Sequence, residues 1–477
     1  MHLDPVVLAR MQFGWTVAFH IVFPSMSIGL ALFLTVTEAL WLATRRPIYL
    51  TIYRFWSTIF AMGFGMGVVS GIVLSFEFGL LFSRFAQMAG PVLGPVIGLE
   101  VLTAFFLEAG FLGIMLFGFG RVGDRLHFAA TCLVAFGTAL SASWILSANS
   151  WMQHPVAYHL DRERLVADDW LQVIVNPEWP LRLTHMLLAS WIATALFIAG
   201  VAAYYLLRQR HIDFARATFD LSLWFITILI PLQIYVGDSV AGRVVGPYQP
   251  VKAEAMEGAW TTPKAPAPWL LFILPDQQHQ RNKVEIGVPL LGSLLTTHDL
   301  VHAVPGLSTT PRDQQPNMAI PFYAFRLMIF FGLAILALAV CSIVLRLRGR
   351  IFNSGWFLRF AIATTPAGFI CILAGWTTAE VGRQPYVVYN VLRTTDAVSP
   401  LTGQTILGSF LAFVVVYSAL LFAFCVLTAR VVAKGPTDAP SATNPSAGVR
   451  RAFIPSGAAL PGTTRAAVGS HDGGPIT

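Results

Sequence analysis

Nine long apolar runs constrain this chain more than any other feature: roughly 13–42, 57–82, 94–120, 127–150, 183–207, 215–237, 321–346, 356–380 and 404–430. Each can cross about 30 Å of hydrocarbon as a helix. In lipid the backbone must satisfy its own hydrogen bonds, which leaves helices or closed barrels. The expected fold is therefore all-α: a polytopic membrane protein of about nine transmembrane helices. Composition agrees, with 56% hydrophobic residues, 12% charged and a mean hydropathy of +0.66. An ordinary soluble domain carries roughly a quarter charged residues. The formal charge of +7 does not argue for nucleic acid, because the basic residues sit in short clusters between the apolar runs. Cys132, Cys341, Cys371 and Cys425 all lie in apolar segments without a CxxC pair, and read as small core hydrophobes. The first run is too long for the core of a cleaved signal and is expected to be a retained span.

Nine spans put the termini on opposite sides. Walking Lys and Arg through the short connections gives fourteen on one side, from Arg45, Arg46 and Arg54 to Arg430 and Lys434, and seven on the other, leaving out the long loop. The richer side is expected to be cytoplasmic, so the N-terminus is outside and the C-terminus inside. The chain then divides into residues 1–237 with spans one to six, an external segment 238–320, spans seven to nine in 321–434, and a cytoplasmic tail 435–477. The tail is rich in Pro, Ser, Ala, Gly and Thr without periodicity and is expected to be disordered. A connection as long as 238–320 is functional or disordered.

Ionisable groups inside lipid are costly and mark function. His20 and His185 fall inside spans, and Glu77, Glu100, Glu108 and Glu380 in or at the ends of spans. The bland reading of each His is a hydrogen bond between helices, and of each acid a neutral, hydrogen-bonded carboxyl. Span direction groups them: His20, Glu100, His185, Met328 and Glu380 all come within about two turns of the outer surface. Imidazole with thioether suits a low-spin haem, and a lone His or carboxylate a high-spin one. Glu108 lies eight residues beyond Glu100, or about 12 Å deeper on the same helix, where a proton relay needs an acid. Ser141 can add a hydroxyl to such a path.

The segment GWTTAEVGRQPY, Gly375 to Tyr386, resembles the GWxxxExGRQPW signature of subunit I of cytochrome bd-type quinol oxidase. With it stand ARMQFGWTVAFH ending at His20, GLEVLTAFFLEAGFLG with Glu100 and Glu108, SASWILSANSWMQHP, QPVKAEAMEGAW and FYAFRLM, in the family's order over roughly residues 5 to 430. The resemblance implies a terminal oxidase of the bacterial plasma membrane that oxidises quinol at the outer face and reduces O2 to water. Such an enzyme builds a proton gradient without pumping. It implies His185 and Met328 as ligands of a low-spin haem b. His20, Glu100 and Glu380 are implied at axial positions of two high-spin haems, one b and one d or a third b, with the assignment among them open. Lys252 and Glu257 match the quinol site of the external Q-loop, against the bland reading of a solvated loop. Trp376, Arg383 and Arg326 match residues beside the haems. A second, haem-free subunit is implied, and a single-span small one is left open. The sequence departs from the pattern at Tyr386, where Trp is usual, at Glu77, where Gln is common, and in a short Q-loop. Two rivals remain: a haem-free, proton-coupled transporter, and a b-type electron carrier that never meets oxygen. A transporter would show internal repeats and broken helices near the midplane, and the sequence carries neither signal.

Overall fold

The structure, a computed structural model, describes residues 4–437; the tail expected to be disordered falls almost wholly outside them. Among the described residues nine helices or helix pairs are long and apolar enough to cross a membrane.

The first span is α1 (Pro5–Thr44), started by Asp4, whose carboxylate accepts from Val6 N with Pro5 at the first helical position. Next come α2 (Pro47–Leu81) and α3 (Ser83–Glu100). A π-helical stretch, Val101–Phe105, joins α3 to α4 (Phe106–Phe117), and α5 (Asp124–Gln153) follows. A hairpin, β1 (Tyr158–Asp161) with β2 (Arg164–Ala167), and a short α6 (Trp170–Ile174) lead into α7 (Trp179–Leu207). The sixth span, α8 (Ile212–Val240), does not stop near 237 as expected. It continues through a second π-helical stretch, Ala241–Val245, into α9 (Gly246–Tyr248).

The 238–320 segment is not a structureless loop. It holds α10 (Pro250–Glu257), an antiparallel hairpin of β3 (Trp269–Asp276) and β4 (Arg281–Val288), and α11 (Leu291–Thr296). Its core is small but closed, with Ala255, Trp260, Ile273, Leu307 and Phe322 buried together. Residue counting alone cannot reveal this, since 83 residues between spans look alike whether folded or not.

The seventh span is α12 (Ala319–Leu347). The eighth, expected unbroken over 356–380, is two helices, α13 (Gly355–Ala363) and α14 (Ala367–Gly382). Pro366 caps the second, and the Ala361 carbonyl, left without its usual backbone N–H, accepts from the Thr364 and Thr365 hydroxyls at 3.2 and 3.3 Å. Beyond β5 (Tyr386–Val388), β6 (Leu392–Arg393) and α15 (Thr394–Ala397), α16 (Gly403–Lys434) is the last span.

The main core runs through α1, α2, α7, α8 and α13, with Trp56, Phe23, Phe33, Phe60, Tyr205 and Phe219 almost wholly enclosed. Lipid offers helices no hydrophobic drive to associate, so close approach carries the packing. A Cβ on Gly29 of α1 would come 2.1 Å from Thr194 Oγ1 of α7, and one on Gly368 of α14 would come 2.3 Å from Ala193 Cα. These glycines let three helices touch.

Candidate functional site

Four helices frame the first part of the site. α7 and α12 each pack against both α8 and α14, so His185 of α7 and Met328 of α12 belong to one frame. Each has a glycine at its side. A Cβ on Gly237 of α8 would lie 3.1 Å from the His185 ring, and one on Gly375 of α14 would lie 3.1 Å from Met328 Sδ. The third candidate repeats this: a Cβ on Gly71 of α2 would lie 3.1 Å from His20 Cε1. The Nδ1 of His185 is buried with no hydrogen-bond partner, whereas His20 Nδ1 meets the Ser70 hydroxyl at 2.9 Å.

Glu380, near the end of α14, sits in a dense polar cluster. Asn149 Nδ2 donates to its Oε1 at 2.9 Å and Gln153 Nε2 to the same oxygen at 3.3 Å, while Arg383 pairs with Oε2. Arg182 donates to Asn149 Oδ1 at 2.5 Å and lies 3.5 Å from Glu178. Lys252 donates to Gln153 Oε1 at 2.6 Å, and Gln249 to the same atom at 2.8 Å. The cluster thus has three basic groups, Arg182, Lys252 and Arg383, against two acids, and Arg383 keeps Nε and Nη1 buried without partners. Sequence reasoning singled out Lys252, Glu380 and Arg383 but passed over Arg182, Asn149, Gln153, Glu178 and Gln249. The signal for Asn149 and Gln153 was in SASWILSANSWMQHP, where amides spaced four apart share a helix face.

Lys252 is 4% exposed. The solvated-loop reading of this residue is therefore overturned: α10 carries it down onto Gly382 and the Gln153 amide, and its methylenes would collide with a Cβ at Gly382. Burial, and next the Arg182 guanidinium, hold it far below the ordinary lysine range, at about 7. Glu257, one turn and a half along α10, goes elsewhere. Its carboxylate lies 3.4 Å from Arg326, and it lines a cavity of about 370 Å³ with Trp260, Pro268, Arg281, Asn282 and Glu285. Burial raises its pKa against the opposing pull of Arg326. Arg326 is itself fixed by the Leu270 and Met256 carbonyls at 2.7 and 3.2 Å and lies over Trp269 and Phe322. The two residues paired in the sequence reading thus face different surroundings, Glu257 the cavity and Lys252 the Glu380 cluster.

The acids of the third span separate likewise. Ser141 Oγ donates to Glu100 Oε1 at 2.7 Å, so the serine serves Glu100 rather than Glu108 directly. Glu108 is buried against Gly137 of α5, where a Cβ would come 2.7 Å from its Cγ. Between the acids lies the π-helical stretch, a feature common at functional sites. Glu77 is buried and accepts from Gln12 Nε2 at 2.9 Å. Trp376 is the residue after Gly375, the glycine that faces the Met328 sulfur.

Haem demands axial donors with free space before them, and cations for its propionates. Side-chain donors flanked by Cβ-free positions, an orphaned imidazole nitrogen and a cluster with surplus, unpartnered guanidinium N–H groups fit those demands. The sequence model of cytochrome bd terminal oxidase subunit I matches residues 8–436.

The chain belongs to that family.

Two relatives lie close along the whole length. The cytochrome bd ubiquinol oxidase subunit 1 of Bacillus subtilis is 33% identical, covering 93% of this chain and 98% of its own. The cytochrome bd-II ubiquinol oxidase subunit 1 of Escherichia coli is 32% identical, covering 91% and 97%. The solved bd oxidase structure from Geobacillus thermodenitrificans matches with a TM-score of 0.83 at 28% identity, over 91% of this chain and 99% of that one. As a cytochrome bd subunit I, the chain is a multi-pass bacterial membrane protein of a quinol:oxygen oxidoreductase, and the haem-free transporter reading falls away.

Proposed function

We propose that this chain is the haem-carrying, quinol-oxidising subunit of a terminal oxidase that works beside a second subunit, with the arginine-rich ends of its helices on the cytoplasmic side. The observation that carries the proposal is the repeated pairing of a donor with a Cβ-free neighbour: His185 with Gly237, Met328 with Gly375 and His20 with Gly71. His185 and Met328 would hold the low-spin haem b. His20, Glu100 and Glu380 would serve the high-spin pair, whose members are a b and either a d or a second b. Bound there, haem supplies one-electron transfer and an open iron face for oxygen.

The chain's own residues do the rest. Quinol binds at the Glu257 cavity, where Arg281 and Asn282 offer polar contacts and Trp260 a flat apolar wall. Glu257, with its pKa raised, takes a quinol proton more readily than an ordinary carboxylate would. Arg326 holds Glu257 in place across the base of the hairpin. Arg182, Lys252 and Arg383 offer positive charge to propionates and orient Glu380 through Asn149 and Gln153. Glu108 supplies protons from the cytoplasmic side towards the oxygen site, and Ser141 steadies Glu100 at its outer end.

The test is a reduced-minus-oxidised absorption spectrum of the purified complex, with quinol-driven oxygen uptake measured alongside. His185→Ala and Met328→Leu should each remove the low-spin haem band. Retention of a normal low-spin spectrum by either variant rejects the ligand assignment.

A further inference from the structure

One cluster of buried titratable groups lies far from the haem-ligand layer, at the arginine-rich end of the bundle. His127, three residues into α5, sets its Nδ1 2.6 Å from Glu38 Oε1 of α1. The Thr131 hydroxyl donates to Glu38 Oε2, also at 2.6 Å, and meets the Tyr53 hydroxyl of α2 at 3.1 Å. Tyr53 in turn reaches the Met115 carbonyl of α4 at 3.3 Å. All four side chains are 2% exposed or less, and the second imidazole nitrogen, Nε2, is buried with no partner. The groups cost too much in this setting to be neutral filler. Two apolar residues of similar volume would tie the helices as well, without the desolvation penalty.

The cover over the cluster is thin. Phe119, in the short turn between α4 and α5, packs on the His127 ring with centroids 4.6 Å apart and on Tyr53 at 6.2 Å. Above Phe119 lie Arg54, 5.1 Å from its ring centroid, and Trp41. The exposed Arg45–Asp124 pair, at 2.6 Å, closes the rim. A single aromatic layer therefore separates His127 from the charged surface.

In the other direction the cluster points along α5 to Glu108. That acid rests on Gly137, six residues beyond Thr131, or about 9 Å along the helix. Water would have to carry a proton over that distance. We propose that Glu38 and His127 form a proton-loading station at the cytoplasmic end of the bundle, which takes protons from the inner water past Phe119 and passes them by Thr131 and Tyr53 towards Glu108. This rests on the reading of Glu108 as proton donor. Only N–H and O–H bonds change. The pair gains one proton, turning imidazole and carboxylate into imidazolium and carboxylate, and returns to its first state when one proton leaves towards Glu108. The other charged or titratable groups around it are Tyr53 and Arg54 of α2, Asp124 and Cys132 of α5, and Arg45 just beyond α1.

The whole oxidase complex in liposomes is the test, with quinol-driven oxygen uptake normalised to haem and followed against inner pH. In the parent enzyme turnover should stay flat while the pair is loaded and fall only above that. Glu38→Gln and His127→Gln should keep the haem spectrum, slow turnover at least tenfold, and make it fall with rising pH across the whole neutral range, because Glu108 must then be reached by rare direct protonation. Glu38→Asp should restore much of the rate. Should a Gln variant fail to assemble, Tyr53→Phe keeps the ring packing and removes only the hydroxyl, and it should be slow. Normal turnover with the parent pH profile in Glu38→Gln, or in Tyr53→Phe where the Gln variants do not assemble, overturns the station and leaves a structural clip. Glu108→Gln separates the two readings: if it is silent while the Glu38 variants are slow, the station stands and the Glu108 role falls.

Discussion

Glu257 shows how a residue's role depends on which neighbours surround it. Burial raises its pKa while Arg326 lowers it, and burial is the larger effect. A raised carboxyl pKa means that the group stops accepting protons at a higher pH than an ordinary glutamate does. The acid limb of kcat/KM for quinol should therefore lie above the usual carboxylate range, with activity lost as pH falls through it. Glu257→Gln should abolish that limb and lower kcat/KM by about 10²-fold or more, the scale expected for a lost general base. A limb unchanged in the variant would assign it to another group. Lys252 makes the opposite case. Because its ammonium bonds Gln153 rather than facing the cavity, Lys252→Met should disturb the spectrum of the haem nearest Glu380 more than the KM for quinol. At Gly237 the argument is steric. Gly237→Val puts branched carbon against the His185 ring, and a reduced-minus-oxidised spectrum of the intact complex should find the low-spin haem band depleted while the membrane-inserted chain is retained.

At the scale of elements, the 238–320 segment is the informative one. α10 divides its duties by helical geometry: residues 252 and 257 are five apart, which turns them about 140° from each other around the helix, so one faces the Glu380 cluster and the other the cavity. The β3–β4 hairpin closes the cavity from outside, held by Arg326 to the Leu270 carbonyl and by Asn282 to the Gly258 carbonyl at 2.8 Å. Its tip, near Gln277 to Gln280, is exposed in part and turns through a left-handed Gln280. Protease added outside should cut there first, and quinol oxidation should fall in step with cleavage. Oxidation that survives complete cutting would move the quinol site elsewhere. The two π-helical stretches had no signature in the hydropathy pattern, because an inserted residue in a wholly apolar helix leaves the run unbroken. The break at 364–366 did have one, Pro366, but a proline within a span more often kinks a helix than divides it.

For the molecule as a whole, span direction organises function. The ends carrying His20, Glu77, Glu380 and the 238–320 segment gather on one side, and those carrying Arg54, Arg121, Arg210 and Arg359 on the other, which makes a quinol site on one face and a proton path from the opposite face compatible in one chain. Glu108→Gln keeps shape and hydrogen bonding but removes the proton, so haem content should survive while oxygen uptake with excess reduced quinol drops sharply. Near-normal uptake per haem would make Glu108 a tie between α4 and α5.

The number of spans, their alternating direction and the family were legible in the sequence, because lipid enforces long apolar runs and because motifs such as GWTTAEVGRQPY tie several rare residue types to fixed spacing. The expectation that His20, Glu100, His185, Met328 and Glu380 share one layer came from counting residues along helices of known rise. What the sequence could not fix was sideways placement. Arg182 and Gln153 read as a loop charge and a helix amide until α5, α7, α10 and α14 met around Glu380. Lys252 read as the partner of Glu257 in a quinol site, and only the folded α10 shows it bonded to Gln153 instead. Glu38 and His127 are 89 residues apart and become a pair only where α1 and α5 pack. Hydropathy records how deep each residue lies along its own helix. Which helices touch, and through which faces, depends on close contacts such as those at Gly29 and Gly368, and these are properties of the assembled bundle.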